Sequence, residues 1–134
     1  MLLHRALASP GSHIRQRLTK ASMKPHLSER EYTAVTKLAE QLRTTLGANL
    51  VDLRLFGSKA RGDYTSESDI DILVVLRHKD QASRDRIYEI LLPIDLEYDP
   101  HISLAIFSEE ELQVNEALGS PFTKHIKADG IPLS

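Results

Sequence analysis

The stretch Gly57-Ser58-Lys59-Ala60-Arg61-Gly62-Asp63-Tyr64-Thr65-Ser66-Glu67-Ser68-Asp69-Ile70-Asp71 decides how this chain is read. An apolar strand, Leu50–Phe56, runs into a Gly-Ser turn, and a basic polar loop then leads to Asp-Ile-Asp at the mouth of a second apolar strand, Ile70–Leu76. Side chains alternate along a strand, so Asp69 and Asp71 project from the same face and their carboxylates converge. Paired hard oxygen ligands beside a phosphate suit Mg²⁺, which takes one or two carboxylates and completes its shell with water and phosphate oxygens. Gly57 lets the backbone approach a ligand closely. Ser58, followed by the helix-favouring Lys59-Ala60-Arg61, aims amides and a hydroxyl at a phosphate, to which Lys59 and Arg61 add positive charge. The residues thus describe a place for a nucleoside triphosphate and its metal ions.

Each part also has an ordinary use. Gly-Ser after a strand is most often only a turn, Asp at a strand entry is commonly solvated, and Lys and Arg in a loop usually face water. What carries the reading is the conjunction of strand, Gly-Ser, ten residues, Asp-x-Asp and buried strand.

That conjunction resembles the signature of the DNA polymerase beta-like nucleotidyltransferase superfamily. Gly57-Ser58-Lys59-Ala60-Arg61-Gly62-Asp63 with Ser68-Asp69-Ile70-Asp71 looks like its minimal, single-domain branch, over roughly residue 28 to the C-terminus. The resemblance implies an α/β fold, a small mixed sheet flanked by helices. It implies that Gly57 and Ser58 grip the triphosphate and that the catalytic pair Asp69 and Asp71 ligates the metal ions. The implied reaction transfers a nucleoside monophosphate, AMP from ATP with Mg²⁺, to a hydroxyl. Minimal members are often paired with a HEPN-domain protein, as antitoxins that adenylylate it.

One departure from the family pattern matters. In complete relatives a third carboxylate sits on a third strand facing the Asp pair, and the alignment of that strand places Ser103 there. A serine carries no charge for a second ion and does not readily accept a proton. Asp95, Glu97 and Asp99 are near in sequence, but they fall on or just after the preceding helix, as solvated or capping groups. His101, close to this position, reads more readily as a surface loop group than as a base. Two classes of function therefore stand: a nucleotidyltransferase, and an antitoxin-like binding subunit that keeps nucleotide or partner binding with weak or no turnover. A small-molecule nucleotidyltransferase ranks third, since the chain is short for an additional substrate-binding domain.

At 134 residues, with 41% hydrophobic and 27% charged residues, the chain can bury a modest single core. It has no cysteine, which excludes disulfides and thiolate metal sites. No apolar run approaches a membrane span, and a cytoplasmic location is expected. Residues 1–28 carry Arg5, Arg15, Arg17, Lys20 and Lys24 with no acid, while the remainder has a net charge of -7 against -2 for the whole. So acidic a remainder has no strong nucleic-acid signature. The six histidines are dispersed without metal-ligand spacing, and neither a Gly-x-Ser-x-Gly elbow nor a Walker-type loop is present. Tyr64 reads as packing or a solvated ring before it reads as a base-stacking platform.

Residues 1–24 lack periodicity and contain Ser9-Pro10-Gly11-Ser12, which reads as a flexible basic tail. A targeting segment, a true start at Met23 and an RNA-contacting arm remain open alternatives. Residues 25–134 form the expected nucleotidyltransferase domain. Its first helix starts with a capping box, Ser28 and Glu31, and runs to Gly47. The strand after it alternates, Val51, Leu53 and Leu55 inward with Asp52 and Arg54 outward, which predicts half burial. A helix from about residue 80 has a kink or break expected near Leu92, because of Pro93. Residues 102–107 read as a third strand, Ser108 with Glu111 as a second capping box, and Ser120-Pro121 as the start of a last helix. A sheet this small leaves apolar surface uncovered, so a homodimer or hetero-complex is expected.

Overall fold

The computed structural model describes residues 26–65 and 68–133; the expected basic tail, residues 1–24, and the alternative start at Met23 lie outside the described residues. Helix α1 (Glu29–Leu46) is followed by a 3-10 turn (Gly47–Asn49), β1 (Leu50–Phe56), the one-turn α2 (Ser58–Arg61) and β2 (Ile70–Leu76). Then come α3 (Gln81–Tyr98), β3 (Ile102–Ser108), α4 (Glu109–Ala117), α5 (Pro121–Asp129) and the two-residue β4 (Ile131–Pro132). The strands form one mixed sheet in the order β3-β2-β1-β4. β1 is antiparallel to β2 and β4, and β2 is parallel to β3. The parallel pair needs a crossover, and α3 supplies it.

The helices form where the caps predict. Ser28 Oγ accepts from the Glu31 amide, 3.1 Å, while Glu31 Oε1 accepts from the Ser28 amide, 2.9 Å; Ser108 and Glu111 repeat the exchange at 3.0 and 2.9 Å. Spacing then selects the buried face. Ala34, Val35, Leu38, Ala39, Leu42 and Leu46 of α1 and Ile87, Leu91 and Ile94 of α3 pack on one side of the sheet against Leu53, Leu55, Ile70, Ile72, Val74 and Leu76. On the other side, Leu73 and Val75 of β2 meet Leu112 of α4 and Ile126 of α5. Phe122 lies 5.4 Å from Phe56 and 5.2 Å from Phe107, ring centre to ring centre. β2 is thus apolar on both faces because both are covered.

Two expectations need correction. α3 runs unbroken through Pro93. The proline removes an amide whose partner would be the carbonyl of Glu89, which is exposed and so open to solvent, while burial of Ile87, Leu91 and Ile94 on both sides of it favours continuation of the helix. β1 is not half-exposed either. Asp52 and Arg54 are both buried, paired through Arg54 Nε and Asp52 Oδ2 at 2.9 Å, and Asp52 Oδ1 also accepts from the Leu53 amide, 2.9 Å. An irregularity between Leu50 and Asp52 moves Val51 to the α4–α5 side, so the simple alternation fails there. Buried charges persist only when paired and hydrogen-bonded, which is the case here.

Leu42 is fully buried between α1 and the sheet. Leu42→Ala is expected to lower unfolding stability by roughly 2–5 kcal/mol, read from urea denaturation.

Candidate functional site

The register places Phe56, the last residue of β1, beside Asp71 of β2. The chain leaving β1 must therefore turn directly over the entrance to β2, and Gly57 makes that turn with φ 79° and ψ -159°, a region only glycine occupies without strain. A Cβ at Gly57 would lie 2.3 Å from Asp71 Oδ2. The bare α-carbon and the carboxylate share one surface. Ser58 follows at the first position of α2; the amides of Ala60 and Arg61 bond to the Gly57 carbonyl at 3.1 Å, and Gly62 N–H donates to the Ser58 carbonyl at 2.8 Å. Gly62 ends the turn in the left-handed region.

On the other side of β2, the parallel register sets Ser103 opposite Asp71. Paired residues of neighbouring strands present their side chains to the same face, so the third-strand position found by alignment is adjacent to Asp71 and holds a hydroxyl. The β2–β3 ladder begins one step earlier, where Ile70 N–H donates to the His101 carbonyl, 3.0 Å.

Asp71 is half-buried and Asp69 exposed. Burial, and then the charge of Asp69, push the Asp71 carboxyl above its ordinary range, while Arg61 draws it back. A group that suffers from desolvation and a like-charged neighbour is relieved by a cation between them. Arg61 is raised in turn by its bond to Asp63, Nε to Oδ2 at 3.1 Å, with Asp129 and Asp71 adding attraction.

Lys59 is placed differently. Its ammonium lies 3.3 Å from both Glu31 oxygens and 4.4 Å from the centre of the Tyr64 ring, and its side chain is 5% exposed. Sequence reasoning used Glu31 only as a cap. Its second role spans 28 residues of chain, for which no local signal exists.

The other acids form a separate group. Asp95 is pushed upward by burial and by Asp99, and drawn back by His101. Asp99 and His101 flank Pro100 with positive φ, 48° and 55°, and are both exposed. Glu97 pairs with Lys37 at 3.4 Å. None of these side chains figures among the charges that shift Asp71.

The donor set suits one hard cation: two neighbouring carboxylates, a hydroxyl on the next strand and an approach kept clear by Gly57. Among the described residues no three His, Cys, Asp or Glu side chains converge to hold a metal.

Gly57→Ala is expected to cost roughly 1–3 kcal/mol in backbone strain, and more from the displaced Asp71 carboxylate; urea denaturation measures it. Asp71 supplies a pH signature in the metal-free chain. Its folded-state pKa lies above the ordinary 3.8, so the folded protein holds that proton more tightly than the unfolded one. The ionised form therefore costs stability, progressively as pH rises from the ordinary pKa through the raised one. Asp71→Asn is expected to melt higher than the parent at neutral pH, with the advantage shrinking as pH falls toward 3.8, followed by thermal melts across pH without divalent ions.

Comparison with known proteins bears on the family and the fold. Residues 35–127 match the family model described as nucleotidyltransferase domain. Two proteins of Methanocaldococcus jannaschii, each named "putative protein adenylyltransferase", are similar. One is 31% identical over 100 residues, covering 75% of this chain and 94% of its own. The other is 33% identical over 76 residues, covering 56% and 77%. A crystal structure from Sulfolobus solfataricus, described as "a putative nucleotidyltransferase", superposes with a TM-score of 0.50 at 18% identity, over 86% of this chain and 87% of that one, and shares the fold. With a strand, a glycine turn and an Asp pair arranged as described, and a family model spanning most of the sequence, the chain belongs to the nucleotidyltransferase domain family.

Proposed function

We propose that this chain is a protein adenylyltransferase, moving AMP from ATP to a hydroxyl of a partner protein. The observation that carries the reading is the Asp69–Asp71 pair beside Gly57 within the family's fold; the names of the two Methanocaldococcus relatives support the choice of AMP and of a protein acceptor. Asp69 and Asp71 would hold Mg²⁺, which when bound neutralises charge on the triphosphate. Gly57 leaves room for the phosphates against the sheet, Ser58 offers a hydroxyl, and Arg61 attracts the anion from the edge of the loop. The acceptor oxygen attacks the α-phosphorus, the bond to the bridging oxygen breaks, and pyrophosphate leaves. Phosphoryl transfer of this kind asks mainly for positioning and charge neutralisation. The acceptor's proton passes to water, because Ser103 is a poor base at neutral pH.

Ser103 favours a second reading, a binding subunit that keeps the nucleotide but turns over slowly or not at all. Either way a partner is part of the proposal. Tyr88, Leu92 and Leu96 stand at successive turns of α3, 52%, 60% and 78% exposed, an apolar stripe suited to cover by a HEPN-type protein in a toxin–antitoxin pair or by a second copy. Among the described residues no helix is long and apolar enough to cross a membrane; a cytoplasmic setting with ATP and Mg²⁺ belongs to the same proposal.

The test is transfer of α-labelled ATP to the protein encoded beside this one, with Mg²⁺. Label on a hydroxyl of that protein is expected, and none with Asp69→Asn plus Asp71→Asn. Ser103→Asp, which adds a base next to Asp71, is expected to raise the rate by about 10²–10⁴-fold. Binding of Mg²⁺–ATP without transfer, with transfer appearing only in Ser103→Asp, selects the second reading. Absence of Mg²⁺–ATP binding to the folded parent removes both.

A further inference from the structure

Lys59 and Arg61 are the two cations of the glycine loop, and their positions two apart on a helical turn rotate them about 200° from one another. They cannot both face the same ligand. Arg61 points outward, exposed, and its charge reaches Asp71. Lys59 points the other way, under the loop and onto the start of α1.

We propose that Lys59 is a positioning residue rather than a phosphate ligand: the Glu31–Lys59–Tyr64 cluster ties the glycine loop to the first turn of α1, and Arg61 is the loop cation left to the nucleotide. The inference rests on the nucleotide reading above for its effect on ligand, and on the structure alone for the tether. Four contacts make the tie. Both Glu31 oxygens lie 3.3 Å from Lys59 Nζ. The ammonium sits 4.4 Å from the centre of the Tyr64 ring, which covers it from the far side of the loop. The same ring meets His26 edge-on at 6.3 Å, and His26 Cε1 lies 2.8 Å from where a Cβ on Gly62 would be. Loop positions 59, 62 and 64 are thereby attached to positions 26 and 31.

Glu31 is a firm anchor because it is itself held. Its Oε1 also closes the capping box on the Ser28 amide, 2.9 Å, so it has little freedom to follow Lys59 outward. The loop needs such an anchor. A single helical turn fixes several backbone angles for few hydrogen bonds and does not persist alone. Swinging Lys59 out to a triphosphate would give up the Glu31 carboxylate and the Tyr64 ring together.

The two roles make opposite predictions for Glu31→Gln. If Lys59 were a phosphate ligand, removing the Glu31 charge would free it and Mg²⁺–ATP binding would hold or tighten. As a tether, Glu31→Gln and Lys59→Met should each loosen the loop and weaken Mg²⁺–ATP binding. The experiment compares the parent, Lys59→Met, Lys59→Arg, Glu31→Gln and the Lys59→Met plus Glu31→Gln double variant by amide hydrogen exchange without ligand and by calorimetric Mg²⁺–ATP titration. Exchange across residues 57–65 is expected to speed up by about tenfold in either single variant while α3 is unchanged. The dissociation constant should rise by about five- to twentyfold, with the double variant no worse than the singles because one interaction is lost in all three. Lys59→Arg, which still reaches Glu31, should stay within about threefold of the parent. Unchanged loop exchange, tighter or unchanged binding in Glu31→Gln, or a fully additive double variant would overturn the assignment. A folded parent that binds no Mg²⁺–ATP removes the nucleotide reading, and the exchange data then decide the tether by themselves.

Discussion

The contact between the α-carbon of Gly57 and the carboxylate of Asp71 is the constraint around which the site is arranged. It follows from strand register. Phe56 pairs with Asp71, so the backbone leaving β1 has to cross the mouth of β2, where any side chain would strike the acid. The antiparallel ladder between β1 and β2 therefore sets the spacing between the glycine turn and the acid.

The rest of the sheet supports that meeting from two sides. Ile70 and Ile72 anchor β2 in the core beneath α1 and α3, while Leu73 and Val75 anchor it beneath α4 and α5. A strand packed on both faces has little freedom to slip, since a shift of one residue would exchange the side chains fitted to the α1–α3 layer with those fitted to the α4–α5 layer. The parallel ladder with β3 then fixes Ser103 beside Asp71. This adjacency makes the serine consequential: it occupies the position on the neighbouring strand that pairs with Asp71.

Charge is distributed with the same economy. Asp71 and Asp69 push against one another with Arg61 in range, while Asp95, Asp99 and His101 form a second group at the start of β3. Within the loop, Lys59 pairs with Glu31 while Arg61 pairs with Asp63 and lies within electrostatic reach of Asp71.

Much of this was legible in the chain itself. Capping boxes, helical spacing and the apolar run of β2 are local, so Ser28, Ser108 and residues 70–76 announced their elements without tertiary help. The Gly-Ser and Asp-x-Asp spacing, with Ser103 out of pattern, pointed to a family to which the chain belongs. What only the folded molecule decided depends on distant segments meeting. Asp52 and Arg54, which read locally as a wet face, are buried and paired with one another. α3 continues through Pro93 without a break. Lys59 turns to Glu31 instead of to solvent. Alternation and propensity describe a residue's own strand or helix, whereas burial of a charge and the direction of a long side chain depend on which remote surface arrives beside it.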